Sequence, residues 1–133
     1  MAKFAPTVPR LGKRVFMITA TDAPGTDAER AEHLDAHLEY VEKHCEQYLI
    51  CGPVRAVGEQ KLAGSFFLVA AADENEAEAI VSGDPYFQCG LYGSIDRKEF
   101  TASAGKWMGG VIWESADEIR AYANEARPVE NVS

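Results

Sequence analysis

The residues with most chemistry to offer lie close together in the chain. All three histidines, His33, His37 and His44, fall within a predicted helix over residues 27–47. With Arg30 and Tyr40 they form the series 30, 33, 37, 40, 44. This polar stripe lies about 100° round the helix from an apolar stripe of Leu34, Leu38, Val41, Cys45 and Tyr48. It reads either as a solvated shoulder or as the rim of a cleft. In a cleft, an imidazole with an ordinary pKa of about 6.5 is suited to moving protons near neutral pH. His33 and His37, one turn apart, could share a metal ion, but no HExxH, adjacent cysteine or third ligand accompanies them. The expectation is that the chain binds no metal.

Asp84 is the second candidate. It precedes Pro85, which pushes its backbone to the extended region and lets the carboxylate project from a turn. That carboxylate either caps nearby N–H groups or faces a site. Tyr86, Phe87 and Tyr92 could wall a pocket beside it, or could simply pack the core. Cys45, Cys51 and Cys89 have no neighbouring His or Lys and no CxxC spacing, so they read as free thiols in a reducing compartment. Gly109-Gly110 belongs to no phosphate-loop motif. No cofactor is expected.

The elements that must hold these residues follow from periodicity. Residues 14–21 (RVFMITAT) are β-branched and aromatic, a first strand. Pro24-Gly25 turns the chain, and Thr26 with Glu29 spells a capping box for the helix over 27–47. A short strand over 48–51 ends at Gly52-Pro53, and the run 64–72 (GSFFLVAAA) is a strand with two apolar faces. A second, acidic helix spans 73–81, Gly83-Asp84-Pro85 breaks it, and 89–100 is the fourth strand. The order β-α-β-β-α-β is the ferredoxin-like pattern: a four-stranded antiparallel sheet with two helices on one face. Phe66 and Leu68 point to one side of the third strand and Phe67 and Val69 to the other. The uncovered side should therefore be hidden in a homodimer, a larger even oligomer, or under the C-terminal segment. That segment, 101–133, reads as an extra strand or a hairpin arm (AGKWMGGVIW) whose Trp107, Val111, Ile112, Trp113 and Ile119 should leave water. A short helix follows, opened by the Ser115–Glu118 box, with Ile119, Tyr122 and Ala126 on one face, and ends at Pro128. The whole chain, 1–133, reads as one domain with its core at about 13–100.

Charge excludes several partners. A net −8 repels phosphate backbones and anionic membrane surfaces, so neither is expected. There is no apolar run of about 18 residues, and residues 1–14 lack the apolar stretch of a secretory signal. A cytoplasmic location is the expectation.

Three pieces of this sequence resemble the YCII-related (YciI-like) family: Arg30-x-x-His33-Leu34, Gly52-Pro53, and Asp84-Pro85-Tyr86 followed by Gly90. The resemblance covers about 13–100. It implies a ferredoxin-like subunit of a dimeric α+β barrel, similar to muconolactone isomerases and to a dehalogenase of chlorinated muconolactones. It also implies a catalytic dyad of His33 and Asp84, with Arg30 and Tyr86 as substrate-binding residues. His37 and His44 match no motif of the family and read as surface. An aspartate accepting from one imidazole nitrogen fixes the tautomer and leaves the other nitrogen to carry a proton. The implied function is a small cofactor-free enzyme for proton transfer, isomerisation or elimination on a small carbonyl or lactone. The alternative is a non-catalytic module that binds a small molecule or mediates oligomeric contacts.

Overall fold

The computed structural model describes residues 6–123. Strands β1 (Arg14–Asp22), β2 (Tyr48–Val54), β3 (Gly64–Ala71) and β4 (Tyr92–Phe100) form one antiparallel sheet in the order β2-β3-β1-β4. The first and third strands are thus central and adjacent, as the ferredoxin-like pattern requires. The sheet is open and does not close into a barrel within one chain. β2 runs straight through Gly52-Pro53, where the sequence suggested an end. Its place at the sheet edge explains this, since an edge strand tolerates a residue that cannot donate to a ladder.

Only one expected helix is split. The first becomes α1 (Asp27–Glu32) and α2 (Leu34–Lys43), with His33 between them at φ −100°, ψ 8°. The second forms as expected, as α3 (Glu74–Ser82), and ends at Gly83-Asp84; a further short helix, α4 (Pro85–Gln88), follows the break. The Thr26–Glu29 box does not form; the Thr26 hydroxyl instead donates to the Ala23 carbonyl at 2.6 Å. The working box lies at α3: Asp73 accepts from the Glu76 N–H at 2.8 Å, while the Glu76 carboxylate accepts from the Ala72 N–H at 2.6 Å.

The core lies between the helices and one sheet face. Phe16 and Ile18 of β1, with Phe67, Val69 and Ala71 of β3, meet Ala77, Ile80 and Val81 of α3. The expected stripe is buried only in part: Val41 and Tyr48 pack against the core. Leu34 and Leu38 are exposed, Leu38 by 54%, and Cys45 beyond the helix is exposed too. The inward positions beside Val41 are polar ones, above all His37 and Tyr40, because they find partners on the facing elements. Hydrogen-bonding groups that lack a partner cost more buried than two leucines cost exposed, so the partners decide which way the helix turns.

The other sheet face carries Met17, Phe66 and Leu68. Beyond it the chain forms a hairpin, β5 (Ala104–Gly105) and β6 (Gly110–Val111), and then α5 (Ala116–Ala123). The Ser115 hydroxyl accepts from the Glu118 N–H at 3.3 Å, and the Glu118 carboxylate accepts from the Glu114 N–H, which caps α5 much as expected. The N-terminal arm runs beside β6: the Val8 N–H donates to the Val111 carbonyl at 2.7 Å, and the Val111 N–H to the Pro6 carbonyl at 2.9 Å. Gly110 is required there, because a Cβ would strike the Pro6 carbonyl. Between hairpin and sheet lies a cavity of about 490 Å³, bordered by Leu49, Leu68, Phe100, Trp107 and Met108 among others. Ile112 is buried, as expected, but Trp107 is 86% exposed, contrary to expectation. Ala126 and Pro128, expected on and after the last helix, lie outside the described residues.

Candidate functional site

Asp84 organises the site. As the residue before Pro85 it is extended, at φ −72°, ψ 130°, and it caps α4 by accepting from the Tyr86 N–H at 2.9 Å. Its side chain is completely buried. A buried carboxylate needs a strong donor, and His37 supplies it: Nδ1 lies 2.9 Å from Oδ1 and 2.8 Å from Oδ2. Since the carboxylate can only accept, Nδ1 carries the proton. Nε2 makes no hydrogen bond among the described residues. The imidazole is held flat as well, stacked on the Tyr86 ring at 3.9 Å between centroids with planes 10° apart.

The resemblance had placed His33 opposite Asp84. His33 instead sits at the break between α1 and α2 with its side chain one-third exposed, and its Nε2 is 4.0 Å from Glu32 Oε1. The residue one helical turn further along is the one level with the α3–α4 turn. The sequence contained this option, since His37-Leu38 repeats His33-Leu34 four residues on. Two identical dipeptides one turn apart cannot be told apart without knowing the phase of the helix. His44 bonds Gln47 Oε1 at 3.1 Å and packs against the Tyr40 ring.

Arg30 and Tyr86 stand behind His37. The Arg30 guanidinium grips Asp22 through two bonds of 2.9 Å, donates to the Gly64 carbonyl at 3.1 Å, and lies 5.2 Å from the Tyr86 ring centroid. Burial pulls its pKa down, but the hydrogen bonds and charge of Asp22 more than offset this, and the net direction is upward. The Tyr86 hydroxyl donates to the Arg30 carbonyl at 3.0 Å, and Tyr92 donates to Ser65 Oγ at 2.7 Å. Arg30 is therefore charge-matched by Asp22. Burial pushes the Tyr40 and Tyr48 phenols and the Cys51 thiol up, and the charge of Asp84 adds to each. The Tyr48 hydroxyl is buried without a hydrogen-bond partner among the described residues.

A depression of about 560 Å³ is bordered by Ala36, Tyr40, Gly83 and Pro85 among others, neighbours of the pair, while neither His37 nor Asp84 lines it. The apolar cavity under the hairpin lies on the opposite sheet face and contains neither His37 nor Asp84. Among the described residues no cluster of three His, Cys, Asp or Glu side chains could hold a metal ion, and no helix is long and apolar enough to cross a membrane.

Residues 15–101 match the model of the YCII-related domain. The chain belongs to the YCII-related domain family. Residues 102–123 lie beyond that match, so the hairpin and α5 are additions to the YCII-related core. Among solved structures, the chain is similar to TftG from Burkholderia phenoliruptrix AC1100, a 5-chloro-2-hydroxyhydroquinone dehydrochlorinase in complex with 2,5-dihydroxybenzoquinone. The two are 27% identical with a TM-score of 0.61, over 70% of this chain and 97% of that one. A more distant likeness is to NE2512 from Nitrosomonas europaea, of unknown function, at 17% identity and a TM-score of 0.44, over 70% of this chain and 91% of that one. No curated protein matches the chain.

Proposed function

We propose that this YCII-related chain is a small acid–base enzyme in which His37 moves the proton and Asp84 holds His37 in place. The observation that carries this reading is the bond of 2.8 Å from His37 Nδ1 to a fully buried carboxylate, with Nε2 left unengaged. Asp84 fixes the Nδ1–H tautomer and stabilises the imidazolium once a proton arrives at Nε2. Tyr86 keeps the ring from rotating, and Arg30 with Asp22 braces Tyr86 from behind. The substrate class is a small ring bearing a carbonyl, lactone or hydroxyquinone oxygen. The likeness to a dehydrochlorinase favours elimination: Nε2 takes a proton from the ring or a ring hydroxyl, and halide departs with its bonding pair. The products are the unsaturated ring and HX, and no oxidant is consumed.

The test is chloride release or lactone isomerisation across a panel of chlorinated hydroxyhydroquinones and small lactones. His37→Gln and Asp84→Asn should each lower kcat by about 10²–10⁴-fold while the fold survives. His33→Gln should leave kcat within about twofold, since that imidazole stands outside the pair. Folded His37→Gln protein with wild-type turnover would sink the proposal.

We also propose that a second copy of the chain covers the open sheet face. Leu11, Leu49, Phe100 and Trp107 are exposed along it, a concentration of apolar surface that isolated soluble chains rarely keep in water. Sedimentation at micromolar concentration should find a dimer or larger even oligomer, and Leu49→Glu with Phe100→Glu should release monomers. A wild-type monomer refutes this.

A further inference from the structure

We propose that Tyr40 is the positioning residue of the His37–Asp84 pair. This deepens the functional reading above and rests on it for the kinetic arm only. The geometry starts from one helix reaching across twice. On α2, His37 and Tyr40 lie at i and i+3 and so project from the same side. His37 bonds Asp84, which follows α3; the Tyr40 hydroxyl donates to the carbonyl of Ile80, within α3. The acceptor and the carboxylate are thus four residues apart on a single connection, and α2 holds both ends of it.

The residue between them is adapted to this clamp. Gly83 sits at φ −78°, an ordinary conformation that any residue could adopt, so backbone freedom does not explain a glycine there. Space does. A Cβ on Gly83 would lie 2.5 Å from the Tyr40 hydroxyl oxygen and 3.0 Å from two of its ring carbons. The phenol occupies the volume a side chain would fill, immediately before Asp84. The ring therefore sets how closely the α3–α4 turn approaches α2, and with it the His37–Asp84 separation. The Cys89, Tyr86 and Phe87 side of the turn is fixed by α4 itself, where the Phe87 N–H bonds the Asp84 carbonyl at 2.8 Å and the Cys89 N–H the Pro85 carbonyl at 3.0 Å. On the α4 side the contact from α2 is the His37 ring stacked on Tyr86; on the α3 side it is Tyr40.

The experiment follows the His37 Nδ1–H proton by NMR, assigned by its loss in His37→Gln. In the wild type its bond to a buried carboxylate should slow its exchange with water. Tyr40→Phe keeps the ring and deletes the hydroxyl. It should speed that exchange by at least about tenfold, measured against the backbone amides of β1 and β3 as an internal standard. On any substrate the wild type turns over, it should lower kcat by about 10- to 100-fold with KM little changed. Gly83→Ala, which leaves every hydrogen-bonding group in place, should speed exchange through displacement of Tyr40. In a Tyr40→Leu background the same alanine should have a smaller effect. A folded Tyr40→Phe protein with unchanged Nδ1–H exchange overturns the proposal, as does a Gly83→Ala effect of equal size in both backgrounds. If Tyr40→Phe does not fold, Gly83→Ala alone decides by the same readout. Altered exchange in a protein that turns over nothing would retain the clamp and remove the enzymatic reading.

Discussion

At the scale of single residues, this molecule spends its tyrosines unevenly. Tyr40, Tyr86 and Tyr92 each donate to a protein acceptor, whereas the Tyr48 hydroxyl is buried with none among the described residues. An unpaired buried hydroxyl costs about 1–3 kcal/mol, so Tyr48→Phe should be neutral or stabilising in a denaturant melt. A loss above about 1 kcal/mol would mean that the hydroxyl has a partner in solution. A second residue-scale expectation concerns pH. The Arg14 guanidinium, through two hydrogen bonds and its charge, holds the Glu99 carboxyl below the usual carboxylate range. A carboxyl depressed in the folded state contributes stability above its unfolded pKa and loses it as pH falls through the folded value. Glu99→Gln should therefore flatten the acid side of the stability curve, below about pH 4.3, and leave it unchanged in slope near neutrality. The side chain is 43% exposed, so the whole contribution is about 0.2–1 kcal/mol. The histidine that pairs with Asp84 shows where reading the chain alone stops. Its type, its helix and its acidic partner are all legible, because few residues move protons and Asp-Pro marks a projecting carboxylate. The choice between His33 and His37 is not, because it depends on rotating the helix by a few tens of degrees.

Elements were legible where their signal is chemical and illegible where it is competitive. The four strands could be placed because β-branched and aromatic runs bounded by glycine have few other uses. The Leu34–Leu38 stripe misled because periodicity reports which residues share a face and not which face is buried. Here the polar face had better partners. Capping shows the same limit: Thr26–Glu29 and Ser115–Glu118 have the same spacing, but only the second closes. Thr26 is drawn off by the Ala23 carbonyl, an acceptor supplied by the folded turn. It follows that Asp73→Ala, which removes a formed cap on α3, should cost about 1 kcal/mol, and Thr26→Val should cost less than Asp73→Ala. Equal losses in the two variants would indicate that Thr26 caps α1 in solution.

For the whole molecule, the ferredoxin-like order could be derived from the sequence, and the structure shows it in the sheet β2-β3-β1-β4. What could not be derived is the division of labour between the two sheet faces. One face carries the polar machinery under the helices; the other carries the exposed apolar surface, edged by an extension that the YCII-related match does not include. The proposed chemistry and the proposed assembly surface are thus separated by the thickness of one sheet. Substitutions on the hairpin should alter oligomeric state without touching the His37–Asp84 bond.

That extension also makes the chain self-reporting. Both tryptophans of the protein, Trp107 and Trp113, lie within it, and none stands in the sheet or beside the dyad. Indole fluorescence is therefore a channel that looks at the appended extension alone. Its colour should follow the wetting of Trp107, shifting to the blue as copies associate on dilution series run in reverse. Tyrosine and far-ultraviolet signals follow the sheet and helices. Heating that separates the two channels would time the loosening of the appended hairpin against the melting of the core it leans on.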